Sequence, residues 1–154
     1  YGDPPADPTG WDHEAQTAQL WQAMGAVCPR LQDRLRAVAQ WRLWPLNDRP
    51  PLTGAQQMAQ GRVALLGDAA HPMRPYLAQG AGMAIEDAVV LGRSLAGVTS
   101  HAGAEKALQV YENARRERTA KIQIGSRGNQ WMKTQGNADW VYGYDAWKVP
   151  LAAA

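Results

Sequence analysis

The sequence predicts an α/β fold in which helix predominates, and three observations carry that expectation. Val63-Ala64-Leu65-Leu66 is a continuous apolar run bounded by Gly61 and Gly67, the pattern of a strand buried on both faces rather than of an alternating surface strand. Gln79-Gly80-Ala81-Gly82 then opens a helix whose apolar stripe recurs at Ala84, Ala88, Leu91 and Leu95. A longer helix begins at Ala104 and runs through Leu108, Tyr111 and Arg115. With 154 residues the chain can bury one core, so one compact domain is the natural count.

Taken in order, Asp3-Pro4-Pro5 and Asp7-Pro8 make residues 1–10 an extended lead-in, because proline cannot propagate a helix or a central strand. Asp12 is placed to cap a helix with Leu20, Trp21, Met24 and Val27 on one face. Pro29 restarts the chain after Cys28; Leu31, Leu35 and Val38 follow at helical spacing, with Arg30, Arg34 and Arg36 on a solvated face. Trp41-Arg42-Leu43-Trp44 alternates as a strand does, and Pro45 confines it to an edge or a strand end. Gly97 to Gly103 reads as a loop. On the helix that follows, Glu112 with Arg116 and Glu117 with Lys121 stand four apart, where opposite charges add a few tenths of a kcal/mol each. The cluster Arg115-Arg116-Glu117-Arg118 reads as a solvated face, since acidic neighbours offset it and no aromatic platform interleaves.

Composition narrows the class. A formal net charge of +2 with interspersed signs offers no strong field for nucleic acid. The single cysteine, Cys28, excludes an internal disulfide and fits a reducing compartment. No apolar run approaches membrane-spanning length and no signal-peptide pattern is present, so cytoplasm is the expected location and no membrane partner is expected.

The residues of the central stretch suggest a ligand site. Asp68 falls at the carboxyl end of the expected strand, facing a helix N-terminus, where ligands of open α/β sheets bind. Gly80 and Gly82 have no Cβ, so a planar ligand or an anionic oxygen can reach the first-turn N–H groups, and the helix dipole favours partial negative charge there. A carboxylate on one side and bare amides on the other suit a ligand that is polyhydroxyl in one part and electron-poor in another. The same residues also fit a strand, a loop and a helix packed through small side chains, and spacing alone does not choose. Glu86 and Asp87 complement the helix dipole and need no catalytic role. His71, before Pro72, is expected to fix the loop through a backbone hydrogen bond. No metal is expected, because Asp68 and His71 lack further ligands when His13 and His101 lie in unrelated segments. A Ser-His-Asp hydrolase is a poor fit, since no Gly-x-Ser-x-Gly elbow is present.

Gly67-Asp68-Ala69-Ala70-His71-Pro72, followed by Pro75, Gln79-Gly80-Ala81-Gly82 and Glu86-Asp87-Ala88, resembles the second FAD-binding motif of the single-component flavoprotein aromatic hydroxylases, the group containing salicylate hydroxylase and 3-hydroxybenzoate 6-hydroxylase. Trp140-Val141-Tyr142-Gly143-Tyr144-Asp145 is similar to the Trp-Leu-Tyr-Gly-Tyr-Asp ending of that branch. The resemblance implies the C-terminal part of an FAD-binding, glutathione-reductase-like α/β fold with the end of a substrate-domain sheet. Residues 1–48 would end the substrate-binding region, 49–135 would form the C-terminal part of the FAD-binding domain with its long helix, and 136–154 a C-terminal tail.

By the same resemblance Asp68 accepts a hydrogen bond from a ribityl hydroxyl of FAD. Gln79 and the N–H groups of Gly80, Ala81 and Gly82 lie against the flavin, the amides at its pyrimidine edge. Pro75 and Tyr76 border the face where oxygen and substrate react. Trp44, with Trp41 and Leu43, comes from the last strand of the substrate-binding sheet and is a candidate lining of the aromatic pocket, with core packing as its competing role. The Tyr-Glu-x-x-Arg-x-x-Arg stretch from Tyr111 to Arg118 corresponds to a structural one. The implied activity uses NADH or NADPH and O2 to hydroxylate a phenolic or aromatic acid through a C4a-hydroperoxyflavin. The Gly-x-Gly-x-x-Gly turn and the middle motif of these enzymes are missing, which implies a fragment. Alone, such a fragment is expected to hold FAD weakly, to lack hydroxylase activity and to self-associate through an exposed sheet edge. The alternative is a cofactor-free helical binding or dimerisation module.

Overall fold

The computed structural model describes residue 7, residues 9–128 and residues 139–151. Most of the expected lead-in and the expected boundary at 135/136 lie outside the described residues. The chain divides into two units, Tyr1–Leu46 and Asn47–Ala154.

In the first unit, strand β1 (His13–Ala15) pairs antiparallel with β2 (Trp41–Leu43), with Glu14 opposite Arg42. Asp12 does not cap a helix. Its carboxylate accepts from Arg42 Nε at 2.8 Å and Nη2 at 2.6 Å, and from the Trp44 indole N–H at 2.8 Å. The ladder takes the residues just after Asp12, so helix α1 (Thr17–Met24) starts later, where the Gln19 side chain accepts the Gln16 N–H at 2.8 Å. Helix α2 (Pro29–Arg36) has its proline in the first turn, and Arg30, Arg34 and Arg36 are exposed as expected. None of the described residues of this unit is buried.

The second unit holds the core. Strands β3 (Ala59–Gln60) and β4 (Val63–Ala64) form a two-residue antiparallel ladder around a turn at Gly61, whose φ of +56° is the left-handed conformation that favours glycine. The ladder corrects the expectation of a strand buried on both faces: Val63 is 68% exposed, and Leu65 and Leu66 are exposed as well. The apolar run finds its backbone partner in the residues just before it, and the Leu65 N–H continues the pairing to the Met58 carbonyl at 2.8 Å. A hairpin this short presents one face to helix α4 (His101–Gly125) and the other to solvent.

After the hairpin come a 3-10 turn at Gly67–Ala69, a second at Pro75–Leu77, helix α3 (Gly80–Leu95), helix α4 and a short helix α5 (Asp139–Tyr142). The buried face of α3 is Met83, Asp87 and Val90, not the expected stripe; Ala88 and Leu95 are exposed. Helix α4 starts before Ala104 because Ser100 caps it, its hydroxyl accepting the Gly103 N–H at 3.1 Å. Met58, Ala70, Val90, Tyr111 and Ala146 form one buried cluster, and Leu77, Met83, Ile122 and Val141 another. The tail folds back on the helices: Arg93 donates to the carbonyls of Ala146 at 2.6 Å and Val149 at 2.9 Å. Among the described residues no helix is long and apolar enough to cross a membrane.

The bend into this tail depends on Gly143. Its N–H donates to the Asp139 carbonyl at 2.7 Å, and a Cβ built on it meets the same oxygen at 2.7 Å. Backbone cannot yield as a flexible side chain does, so Gly143→Ala is expected to cost about 1–3 kcal/mol by overpacking, read as a lowered midpoint in urea unfolding.

Candidate functional site

The candidate site is built around a carboxylate inside the protein. Asp87, on the buried face of α3, has no exposed surface. Its Oδ2 accepts the Gly67 N–H at 2.9 Å and the His71 Nε2–H at 2.6 Å, while Oδ1 accepts Arg115 Nε at 2.7 Å. Burial opposes the charge on Asp87, but the hydrogen bonds from His71, Gly67 and Arg115 outweigh it and hold its carboxyl below the usual carboxylate range. Arg115, also 0% exposed, reaches Glu86 through Nη1 at 2.7 Å. Burial disfavours the guanidinium, yet Asp87 and Glu86 raise its affinity for the proton. Tyr111 closes the cluster by donating to the Leu65 carbonyl at 3.0 Å, with burial and the Asp87 charge both pushing its phenol upward.

The cluster corrects three readings. Asp87 and Glu86 are ion-paired rather than merely complementary to a dipole. His71 does hold the loop through a backbone bond, its N–H to the Gly67 carbonyl at 2.9 Å, but its ring is fixed by the Asp87 carboxylate. Arg115 and Arg118 do not lie on a solvated face: Arg118 donates to both oxygens of Glu86 at 2.8 Å and to the carbonyls of Trp140 and Val141, and its guanidinium carbon stands 3.8 Å from the centre of the Tyr144 ring. Of the expected i,i+4 pairs, Glu112 and Arg116 approach to 3.6 Å. Lys121 instead places its ammonium 4.3 Å from the centre of the Trp140 ring.

Against this support the residues singled out by sequence take their places. Gly67 has a φ of +55° and packs on α3, where a Cβ on it would stand 3.4 Å from that of Ala84. Asp68 and Ala69 form the exposed crest of the turn, and no side-chain hydrogen bond of Asp68 is found among the described residues. Arg49 braces the far side, donating to the carbonyls of Ala69 at 2.9 Å and Ala70 at 2.6 Å. Pro75 opens the second 3-10 turn and is exposed, and Tyr76 is half-buried. Ala78 then adopts φ +50°, uncommon for a residue with a Cβ, and delivers the chain to Gln79 at the N-cap of α3. The N–H groups of Gly80, Ala81 and Gly82 have no acceptor among the described residues, the first in-helix bond being Met83 N–H to the Gln79 carbonyl at 2.9 Å. A Cβ on Gly80 would meet nothing within 4 Å. Trp44 belongs to the other unit, 63% exposed, with its indole engaged by Asp12.

An open first turn and an unengaged carboxylate fit a bound group that offers acceptor atoms to the first and hydroxyls to the second. Several supporting residues escaped sequence reading. Glu112 accepts the N–H groups of Gln56, Gln57 and Met58, each at 3.1 Å, and Gln123 donates to the carbonyls of Arg49 and Pro72, each at 2.9 Å. One signal was available: Asp87 stands four from Met83 and three from Val90, a charge in the middle of a helical apolar stripe.

Two outcomes follow from the buried charges. Arg115→Met is expected to destabilise the protein by about 3–5 kcal/mol, because Asp87 is left buried without its cation; thermal and urea unfolding measure it. The carboxyl of Asp87 is held below its ordinary value, so its stabilisation is present above about pH 4 and is lost as pH falls through the folded value. Stability measured in urea from pH 6 downward should therefore fall less steeply in Asp87→Asn than in the parent.

Comparison with known proteins gives this geometry a family. The FAD binding domain family matches residues 10–124. The chain is 41% identical over 136 residues to 6-hydroxynicotinate 3-monooxygenase of Bordetella bronchiseptica, covering 87% of this chain and 34% of that protein. It is 38% identical over 114 residues to 3-hydroxybenzoate 6-hydroxylase of Polaromonas naphthalenivorans, covering 74% and 27%. A salicylate hydroxylase substrate complex superposes with a TM-score of 0.76 at 28% identity, over 94% of this chain and 38% of that one. The chain thus spans about a third of the length of the relatives it matches. A helical module without a cofactor is not favoured by these matches. The family match takes in the Gly67–Ala69 turn, the loop behind it, all of α3 and nearly all of α4, and the chain belongs to the FAD binding domain family.

Proposed function

We propose that the protein carrying this chain is an FAD-dependent monooxygenase that hydroxylates a hydroxy-substituted aromatic acid at the expense of NADH or NADPH and O2. The chain supplies the C-terminal part of its flavin-binding fold. The observation that carries the reading is the pairing of an unengaged Asp68 carboxylate with the acceptor-free first turn of α3, in a chain of this family. The relatives' names supply the substrate class: each acts on a ring bearing both a hydroxyl and a carboxyl group.

In this reading Asp68 accepts from a ribityl hydroxyl, and the Gly80, Ala81 and Gly82 amides donate to the electron-poor edge of the flavin ring, with Gln79 beside them. Pro75 and Tyr76 border the side on which substrate sits, and Trp44 is a candidate wall of the substrate pocket. The chemistry FAD supplies when bound is insertion of one oxygen atom into the ring. This chain binds and orients: amides of a helix N-terminus are fixed donors that need no reorganisation when negative charge grows opposite them.

Asp68→Ala in the whole enzyme is expected to weaken FAD binding by about ten-fold to a hundred-fold, the loss of a charged acceptor for a buried hydroxyl, with little change in the apoprotein's melting temperature. Wild-type affinity in that variant removes Asp68 from the site. Gly80→Val adds side chain where the protein itself leaves room, so lost flavin with a stable fold reports a ligand at that spot. Full flavin content with parental activity would argue against it.

A further inference from the structure

Resting on that reading of Asp68, we propose that Asp87 is the positioning residue of the flavin site: one of its oxygens clamps both ends of the turn that carries Asp68, and so sets where the flavin-facing carboxylate stands. Four observations carry the proposal. First, the Gly67 N–H and the His71 Nε2–H converge on the same atom, Asp87 Oδ2, at 2.9 and 2.6 Å. Second, the Gly67 carbonyl accepts the N–H groups of Ala70 and His71, each at 2.9 Å, so the segment from Gly67 to His71 is a hydrogen-bonded ring with Asp68 and Ala69 exposed on its crest. Third, the His71 ring is buried and its Nδ1 has no partner among the described residues, which leaves Asp87 as the ring's anchor. Fourth, Asp87 is itself held from behind by Arg115 Nε at 2.7 Å, on a different helix, so the clamp does not drift with the turn.

The consequence is geometric. A hydrogen bond tolerates a few tenths of an ångström in length, and a turn pinned by one atom at both ends moves as a unit with α3. The first-turn amides of Gly80, Ala81 and Gly82 belong to that same helix, so Asp87 fixes the distance between the two halves of the site. Arg49 steadies the carbonyl side of the turn, but it touches neither the Gly67 N–H nor the His71 ring. Asp87→Asn keeps the size of the side chain and cannot serve three donors, because its amide nitrogen donates rather than accepts. With the Asn oxygen toward Arg115 the turn faces an N–H and loses its hold, and with the oxygen toward the turn the side chain loses its anchor on α4; either way the clamp is no longer fixed at both sides.

The test is a double-mutant cycle in the whole FAD-loaded enzyme, with affinity read from the fluorescence of released FAD and the environment of the bound flavin from its visible circular dichroism. Asp87→Asn is expected to weaken FAD about ten-fold and to change the dichroism. Combined with Asp68→Ala it should add nothing beyond about two-fold over Asp68→Ala alone, since the two act through one contact. Gly143→Ala, which lowers stability with no bond to the turn, should leave FAD affinity at the parental value. The proposal is overturned if Asp87→Asn binds FAD like the parent, if the double variant loses the product of the single losses, or if Gly143→Ala weakens FAD as much at equal melting temperature. Parental affinity in Asp68→Ala alone would instead sink the flavin assignment and this proposal together. A cycle that is additive after a clear Asp68→Ala loss keeps the assignment and removes only Asp87. Should Asp87→Asn fail to fold, His71→Asn opens the same ring at its other end and is read by the same cycle.

Discussion

A charged carboxylate with no exposed surface is the constraint to which the second unit is built. Moving such a group out of water costs several kcal/mol unless it is paired and hydrogen-bonded. Asp87 meets that requirement with a guanidinium, an imidazole and a backbone amide drawn from three places in the sequence, Arg115, His71 and Gly67. Any shift of α3 against α4, or of the turn against either, leaves a buried donor or acceptor unmatched. Apolar packing tolerates small slides; this arrangement does not. The hydrophobic clusters around Met58 and Met83 supply bulk stabilisation, and the ionic cluster supplies register.

Helix α4 serves the irregular parts of the unit in a related way. Segments without regular structure must still satisfy their backbone groups, and here side chains from α4 and the turn just after it do so: Glu112 for residues 56–58 and Gln123 for Arg49 and Pro72 from the helix, and Arg127 beyond its end for Arg49. Arg127 also pairs with Asp48 at 2.8 Å, and this bond, after the counteracting effect of partial burial, keeps the Asp48 carboxyl low. The segment from Asp48 to Met58 is thereby held at several points, and the loop between the two 3-10 turns at Pro72. A ligand-binding loop placed on such a scaffold keeps its shape without secondary structure of its own.

Much of the site was legible because the relevant signals are local. The proline-punctuated loop and the glycine-opened helix follow from residues within a short window, and Gln79 and Gly80 open the helix as expected, whereas Asp68 stands in a 3-10 turn four residues past the strand rather than at its end. The pairing of Trp41–Leu43 was foreseeable as a strand, but its partner was not, because His13–Ala15 carries no strand pattern apart from the strand it meets. The exposure of the Val63–Leu66 run is not legible in sequence, since continuous apolarity reports what a strand can bury against and not what the chain provides. The charged cluster looks solvated from sequence for a similar reason: Arg115 and Arg118 stand within two residues of Glu117, while their partners Glu86 and Asp87 lie 28 to 32 residues away, beyond any local window.

Tyr144 lies under both guanidinium groups, 5.4 Å from Arg115 and 3.8 Å from Arg118 measured to the ring centre. That stacking gives the tail a role in the order of synthesis. In chain order α3 and α4 come before residues 139–149, so the Glu86, Asp87, Arg115 and Arg118 cluster is able to form with water on the side that Tyr144 later covers. The aromatic cover arrives only when Tyr144 clears the exit tunnel, together with the Ala146 and Val149 carbonyls that receive Arg93. Until then the ion pairs are partly hydrated and correspondingly weaker in cohesion and cheaper to rearrange. Before Tyr144 is in place the helices are freer to settle their register, and the segment that carries it is the one that ends that freedom.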